Sequence, residues 1–302
     1  MRILITIPHY FRPRLVGELI DKSTSSSVGG DLTTRVQCLQ SCLEHLSTHF
    51  QGDHIELDHS TGIVGQSLNR ESTKTTLDVV ISTVPDQHLL PRVTSSDFIH
   101  NSREVDPLQL GFECHLVMAE RLDSYDLYGY IEDDILIHDP TFFDKLRWFC
   151  ETFGDKQLLQ PNRYEIRTGR KVYVDGPMPP KLIRPFLSQH AETLEATCLS
   201  SRHTFVQARN PMSGCFFLNN AQLKKWVRSP FFNDRDPWYG NYLESTQILG
   251  PLRLFDVYKS ALTNPFFLEV VHADPRLSNS RVAAITLNES DVFIDSSRNA
   301  RN

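Results

Sequence analysis

The sequence has no CxxC pair, no apolar stretch long enough to cross a bilayer, and no excess of positive charge. Each absence removes a class of function. The six cysteines, at positions 38, 42, 114, 150, 198 and 215, are scattered, which argues against a zinc ribbon or a disulfide framework. Cys38, Cys42 and His45 would share a helix face that zinc could use, but small buried hydrophobes in a reducing compartment are the expected alternative. Apolar runs such as residues 77–84 and 266–271 fall far short of the roughly 20 residues of a spanning helix, so no transmembrane segment is expected. A net charge of −6 speaks against a partner held mainly by phosphate electrostatics, and no nucleic acid is expected. P-loop, HExxH, GxSxG and dinucleotide glycine fingerprints are missing as well.

What is present is ample core material, with 40% of the 302 residues hydrophobic. The opening run Ile3-Leu4-Ile5-Thr6-Ile7-Pro8 reads as a first strand rather than a signal peptide, so a cytoplasmic location is expected, with peripheral membrane attachment the variant of it. Asp31 is placed to cap a helix whose apolar residues Val36, Leu39, Leu43, Leu46 and Phe50 step by three and four. Residues 77–84 are rich in β-branched side chains and suit a strand buried on both faces. Asp106-Pro107 and Asp139-Pro140 open two further amphipathic helices on either side of a short strand at 127–131. Strand and helix alternate through this half, which predicts a mainly parallel sheet covered by helices.

The second half is less regular. Residues 215–218 and 267–271 read as strands and residues 220–228 as a helix. A second helix over 236–249 is expected to end at Gly250-Pro251. A single α/β domain over 1–302 is expected, with functional halves at 1–135 and 136–295 and a frayed tail at 296–302.

The chemistry concentrates in YGYIEDDILIHDP. Three adjacent carboxylates, Glu132, Asp133 and Asp134, follow directly on an apolar strand, and like charges this close raise one another's pKa. A divalent cation is the simplest way to offset the repulsion. A solvated acidic turn with capping duties is the plain alternative. The carboxyl edge of a strand is also where open α/β sheets hold their ligands.

A hydrophobic strand running into Glu-Asp-Asp resembles the metal-binding DxD motif of GT-A glycosyltransferases, and ILITIPHYFRP resembles their opening strand and loop. The resemblance implies a GT-A-like α/β fold, with a Rossmann-like first half and an irregular mixed second half. It implies a hexosyltransferase-like enzyme moving a sugar from a nucleotide-sugar donor to a carbohydrate or other hydroxyl acceptor. Asp134 would bind Mn²⁺ or Mg²⁺, with His272 as a further ligand that favours Mn²⁺. Pro8, His9, Tyr10, Arg12, Thr83, Glu132, Asp133, Ser213 and Gly214 would line the donor site. Trp238 and Tyr239 would face the acceptor, and Glu244, or else Asp236, would be the catalytic base of an inverting transfer. One departure stands out: the second core strand ends in Ser82, Thr83 and Val84, where the family carries an aspartate. A noncatalytic carbohydrate- or metal-binding module, and a glycoside hydrolase using Glu132 and Asp134, are the competing readings.

Overall fold

The computed structural model describes residues 1–18, 27–51, 55–66, 75–177, 193–235 and 242–274. The first half contributes β1 (Arg2–His9), α1 (Leu32–Phe50), the hairpin β2 (Ile55–Asp58) and β3 (Ile63–Gln66), β4 (Thr76–Thr83), β5 (Ile99–Ser102), α2 (Leu110–Glu120) and β6 (Leu127–Ile131). The chain continues through β7 (Ile135–Leu136), α3 (Phe142–Phe153), β8 (Gln157–Leu159), β9 (Asn162–Arg167), β10 (Arg170–Tyr173), β11 (Thr193–Cys198), β12 (Ser201–Gln207) and β13 (Cys215–Asn219). It closes with α4 (Asn220–Val227), α5 (Tyr242–Leu252), β14 (Asp256–Ser260) and β15 (Glu269–His272).

The central sheet runs β13-β6-β1-β4-β5, parallel except for β13, which lies antiparallel to β6. Side-chain alternation on β1 explains why it is apolar throughout. Ile3, Ile5 and Ile7 face a core shared with α1 and α3, whereas Leu4 faces the opposite core, built with α2, α4 and α5. Both faces of the sheet are therefore covered by helices, as strand–helix alternation predicts.

Several boundaries differ from the sequence expectation, each for a local reason. Asp31 caps α1 as predicted, accepting from the Thr34 amide at 2.7 Å. The buried stripe of α1, however, begins at Arg35 rather than Val36, which is only half-buried. Asp139 accepts from Thr141 N at 2.8 Å in a turn that precedes α3, so the helix itself begins at Phe142. The stretch after Pro107 starts as a 3-10 turn before α2, and α2 buries the polar Glu113 and His115 beside its apolar residues. Gly250-Pro251 does not end α5. The helix runs to Leu252, where a proline in the last turn removes only one hydrogen bond. Gly250 is required there because a Cβ would meet the Trp226 ring at 2.5 Å. No described helix is long and apolar enough to cross a membrane.

The second half builds two four-stranded mixed sheets, β10-β9-β15-β7 and β11-β12-β14-β8. The two-residue strand β7 matters most for the site. The chain leaves the central sheet at Ile131 and pairs with β15 by Ile135, so Glu132-Asp133-Asp134 spans the joint between two sheets.

Candidate active site

The strand order locates the site. From β1 the chain moves outward to β4 and β5, then returns to place β6 on the other side of β1. The order reverses between β1 and β6, and open parallel sheets bind ligands in the crevice that such a reversal leaves at the strands' carboxyl ends. The carboxyl end of β1 supplies Pro8-His9-Tyr10 and that of β6 supplies Glu132-Asp133-Asp134. Pro8, Tyr10, Arg35, Tyr130, Leu243, Thr246 and the three acids line a cavity of about 130 Å³ there.

Each carboxylate has a different set of partners. Asp133 is saturated. Arg35 Nη2 donates to both its oxygens at 2.6 Å, and His9 Nδ1 lies 2.5 Å from Oδ2. Because His9 Nε2 accepts from the Leu89 amide at 3.0 Å, the ring proton sits on Nδ1 and points at Asp133. Burial acts to raise Asp133, but Arg35 and His9 outweigh it and hold the carboxyl below its ordinary value. Glu132 takes the opposite course. Gln247 donates to it at 2.8 Å and Arg163 lies 3.7 Å away, yet burial and the Asp134 charge push its carboxyl upward.

Asp134 is shared between charges. Its Oδ2 lies 3.3 Å from Arg35 Nη1 and 3.5 Å from His272 Nε2. His272 in turn meets Glu165 through Nδ1 at 2.7 Å. Burial acts to lower His272, but the two carboxylates prevail and lift it to about 9.

Two consequences follow for a metal. The carboxylate repulsion is already offset inside the protein, chiefly by Arg35, so the cluster does not by itself demand a cation. The Asp134–His272 pair nevertheless suits one. An oxygen and a nitrogen donor face each other, and Glu165 stands behind the imidazole as the outer carboxylate that metal-binding histidines commonly have.

Thr83 is buried, with Oγ1 2.7 Å from His100 Nε2, and pairs with His9 in the β1–β4 register. Arg12 donates to Tyr10 Oη at 3.1 Å and pairs with Glu18, beside the cavity rather than among its lining residues. Ser213 Oγ donates to Pro161 O at 2.8 Å. Gly214 adopts φ +67°, and a Cβ there would meet Ile135 Cδ1 at 2.7 Å and Glu132 Oε2 at 2.9 Å. Its carbonyl accepts from the Glu132 amide at 2.8 Å. Glu244 is exposed in the first turn of α5, between cavity-lining Leu243 and Thr246. Asp236, Trp238 and Tyr239 lie outside the described residues.

The fold is similar to that of S. aureus TarS. Residues 1–349 of TarS in complex with UDP align at TM-score 0.46 and 12% identity, over 96% of this chain and 68% of that one. A Desulfovibrio desulfuricans G20 protein named for nucleotide-diphospho-sugar transfer aligns at TM-score 0.37 and 12% identity, over 85% and 77%. At this identity the likeness lies in the arrangement of strands and helices. No protein-family model matches the chain, and no curated protein matches its sequence. The largely parallel sheet flanked by helices is the α/β architecture expected from the alternation of strands and helices.

Arg35, Arg163, Glu165 and Gln247 were not evident as site residues from sequence. Arg35 alone left a signal: it falls in phase with Leu39, Cys42 and Leu46, a charge on an otherwise apolar stripe. Charged groups on a buried face are paired or functional, so that phase was informative. The other three reach Glu132 and His272 only through the second-half sheets and α5, about which local pattern says nothing.

Proposed function

We propose that this chain is a glycosyltransferase that binds a nucleotide-sugar donor at the joint between β1 and β6. The observation that supports this reading best is three carboxylates with three distinct environments, set at the sheet's reversal point beside a buried arginine. Asp134 and His272 would hold a divalent cation, Mn²⁺ in preference to Mg²⁺ because of the imidazole donor. Such a cation would neutralise the diphosphate leaving group. Arg35 fixes Asp133 and restrains Asp134, so the donor pocket keeps its shape before ligand arrives. Glu132, bridged through Gln247 to Gly214, faces the same cavity and suits a sugar hydroxyl. In an inverting transfer the acceptor hydroxyl attacks the anomeric carbon and loses its proton to a carboxylate, for which Glu244 at the cavity's edge is the candidate and Asp236 the alternative.

A thermal-shift series with UDP, GDP, CDP and ADP, each with and without Mn²⁺, tests the reading. One nucleoside diphosphate should stabilise the protein selectively, and Asp134→Asn should abolish the Mn²⁺-dependent part while the fold persists. Glu244→Gln should then cut turnover by about 10²-fold or more with donor binding unchanged. No response to any nucleotide would remove the transferase reading, and full donor affinity in Asp134→Asn would remove the metal assignment.

A further inference from the structure

Cys38 and Cys42 are buried in the core, and they do not gather with His45 as a ligand group among the described residues. His45, the third member of that set, has other company. It lies one helical turn before His49 on α1, and His138 approaches both from the segment between β7 and α3. The possible ligand atoms of these three histidines all lie within 4.8 Å of one another, the one such grouping among the described residues. The His45 and His138 rings meet edge to face at 4.3 Å, and His45 and His49 lie 5.8 Å apart.

We infer that His45, His49 and His138 form a three-imidazole site for a divalent transition metal such as Zn²⁺, separate from the acidic cavity and independent of its function. Three observations carry this. The i, i+4 spacing on α1 sets two imidazoles on one face, the spacing by which helical histidines chelate. His45 Nδ1 is 2.7 Å from the Ser41 carbonyl oxygen, which fixes the proton there and leaves Nε2 as the donor. The rings are half-buried to exposed, so a cation can enter and a fourth position stays open to water.

The geometry needs only small side-chain movement. A tetrahedral Zn²⁺ with bonds of about 2.0–2.1 Å sets its nitrogens about 3.4 Å apart. The nearby charges are already engaged: Asp139 pairs with Lys145 at 2.6 Å, and Lys171 pairs with Glu269 at 2.5 Å. All three donors are neutral nitrogens, which selects zinc, nickel, copper or cobalt over magnesium and calcium. A bound ion would clip the C-terminal end of α1 to the segment that follows the acidic motif.

The test is a Co²⁺ titration of tag-free protein at neutral pH, read by visible d–d absorption, with Zn²⁺ as competitor. One equivalent should saturate the band, Zn²⁺ should displace it, and Asp134→Asn should leave it unchanged. His49→Ala and His138→Ala should each weaken the site by at least about tenfold, since losing a ligand costs no less than losing an outer partner. His49→Gln, checked by circular dichroism, covers the case in which an alanine variant fails to fold. Absence of the band, or a band indifferent to the His49 and His138 variants, overturns the site and leaves three histidines packed as aromatic rings. A band lost in Asp134→Asn but kept in the histidine variants also overturns it, and assigns the cation to the acidic cavity instead.

Discussion

Two buried charge clusters meet at Glu132, and they are unlike in sign. On one side Asp133 and Asp134 share the single guanidinium of Arg35. On the other, Arg163 and Lys259 share the single carboxylate of Asp175, at 2.7 and 3.4 Å. The first cluster has acids to spare and lies at the carboxyl ends of the parallel sheet. The second has bases to spare and lines a neighbouring cavity of about 430 Å³. Burial pushes Lys259 down, Asp175 resists that, and its ammonium also donates to Met212 O at 2.6 Å. An acidic surplus beside a basic one suits a ligand that brings a cation and a polyanion together, as a metal nucleotide does.

Each cluster is disrupted most directly by removing its shared counter-ion. Arg35→Ala and Asp175→Ala should each cost about 3–5 kcal/mol, because each removes the counter-ion that two buried like charges share. Their pH responses should differ. In Arg35→Ala the exposed repulsion is between carboxylates, so protonation relieves it and the loss should shrink as pH falls. In Asp175→Ala the residual charges are cations, and acid brings no relief. Urea unfolding at pH 7.5 and 5.5 separates the two, and equal pH responses would sink the contrast.

A second contrast sets these paired charges against a buried group that has none. His115 on α2 is enclosed by the rings of Tyr130, Phe216 and Trp226, and its Nε2 lies 2.8 Å from Thr246 O. Burial pushes it down to about 4, with the Thr246 bond opposing and Arg235 adding a little. The native state thus resists a proton that the unfolded chain accepts near pH 6.5, so stability is whole above that value and falls as pH drops toward 4. Between pH 7.5 and 5 the native protein should lose about 2 kcal/mol relative to His115→Gln. Parallel pH–stability curves for the two proteins would show that His115 is not held neutral.

The difference between the clusters also explains what the sequence made legible. The acidic side was visible because its acids are consecutive and follow a strand that pattern alone identifies. Its cation was half-visible, as Arg35 on an apolar stripe. The basic side was not visible: Arg163 and Asp175 are joined by the β9–β10 hairpin, but Lys259 comes from β14, 84 residues beyond Asp175, and reaches them only through tertiary packing. The same holds for helix ends. Asp31 could be read because its partner is three residues away, whereas the passage of α5 through Gly250-Pro251 depends on Trp226, a tertiary contact. Local chemistry was readable and sheet-to-sheet adjacency was not.

The smallest effect probes the residue where the clusters meet. Gly214 has φ +67°, and a methyl group there would press on Ile135 and on Glu132 Oε2, disturbing the carboxylate that faces Arg163. Gly214→Ala should cost about 1–2 kcal/mol for the left-handed backbone alone, and somewhat more for the contact. Gly62, in the β2–β3 hairpin, supplies the control, since it has the same φ of +67° but nothing within 4 Å of an added Cβ. Gly62→Ala therefore measures the backbone part, and the difference between the variants isolates the contact with Ile135 and Glu132. That difference should be positive and should shrink when Glu132 is also replaced by alanine. Equal losses in the two glycine variants would mean that Glu132 yields freely, and that its position between the clusters is not fixed by Gly214.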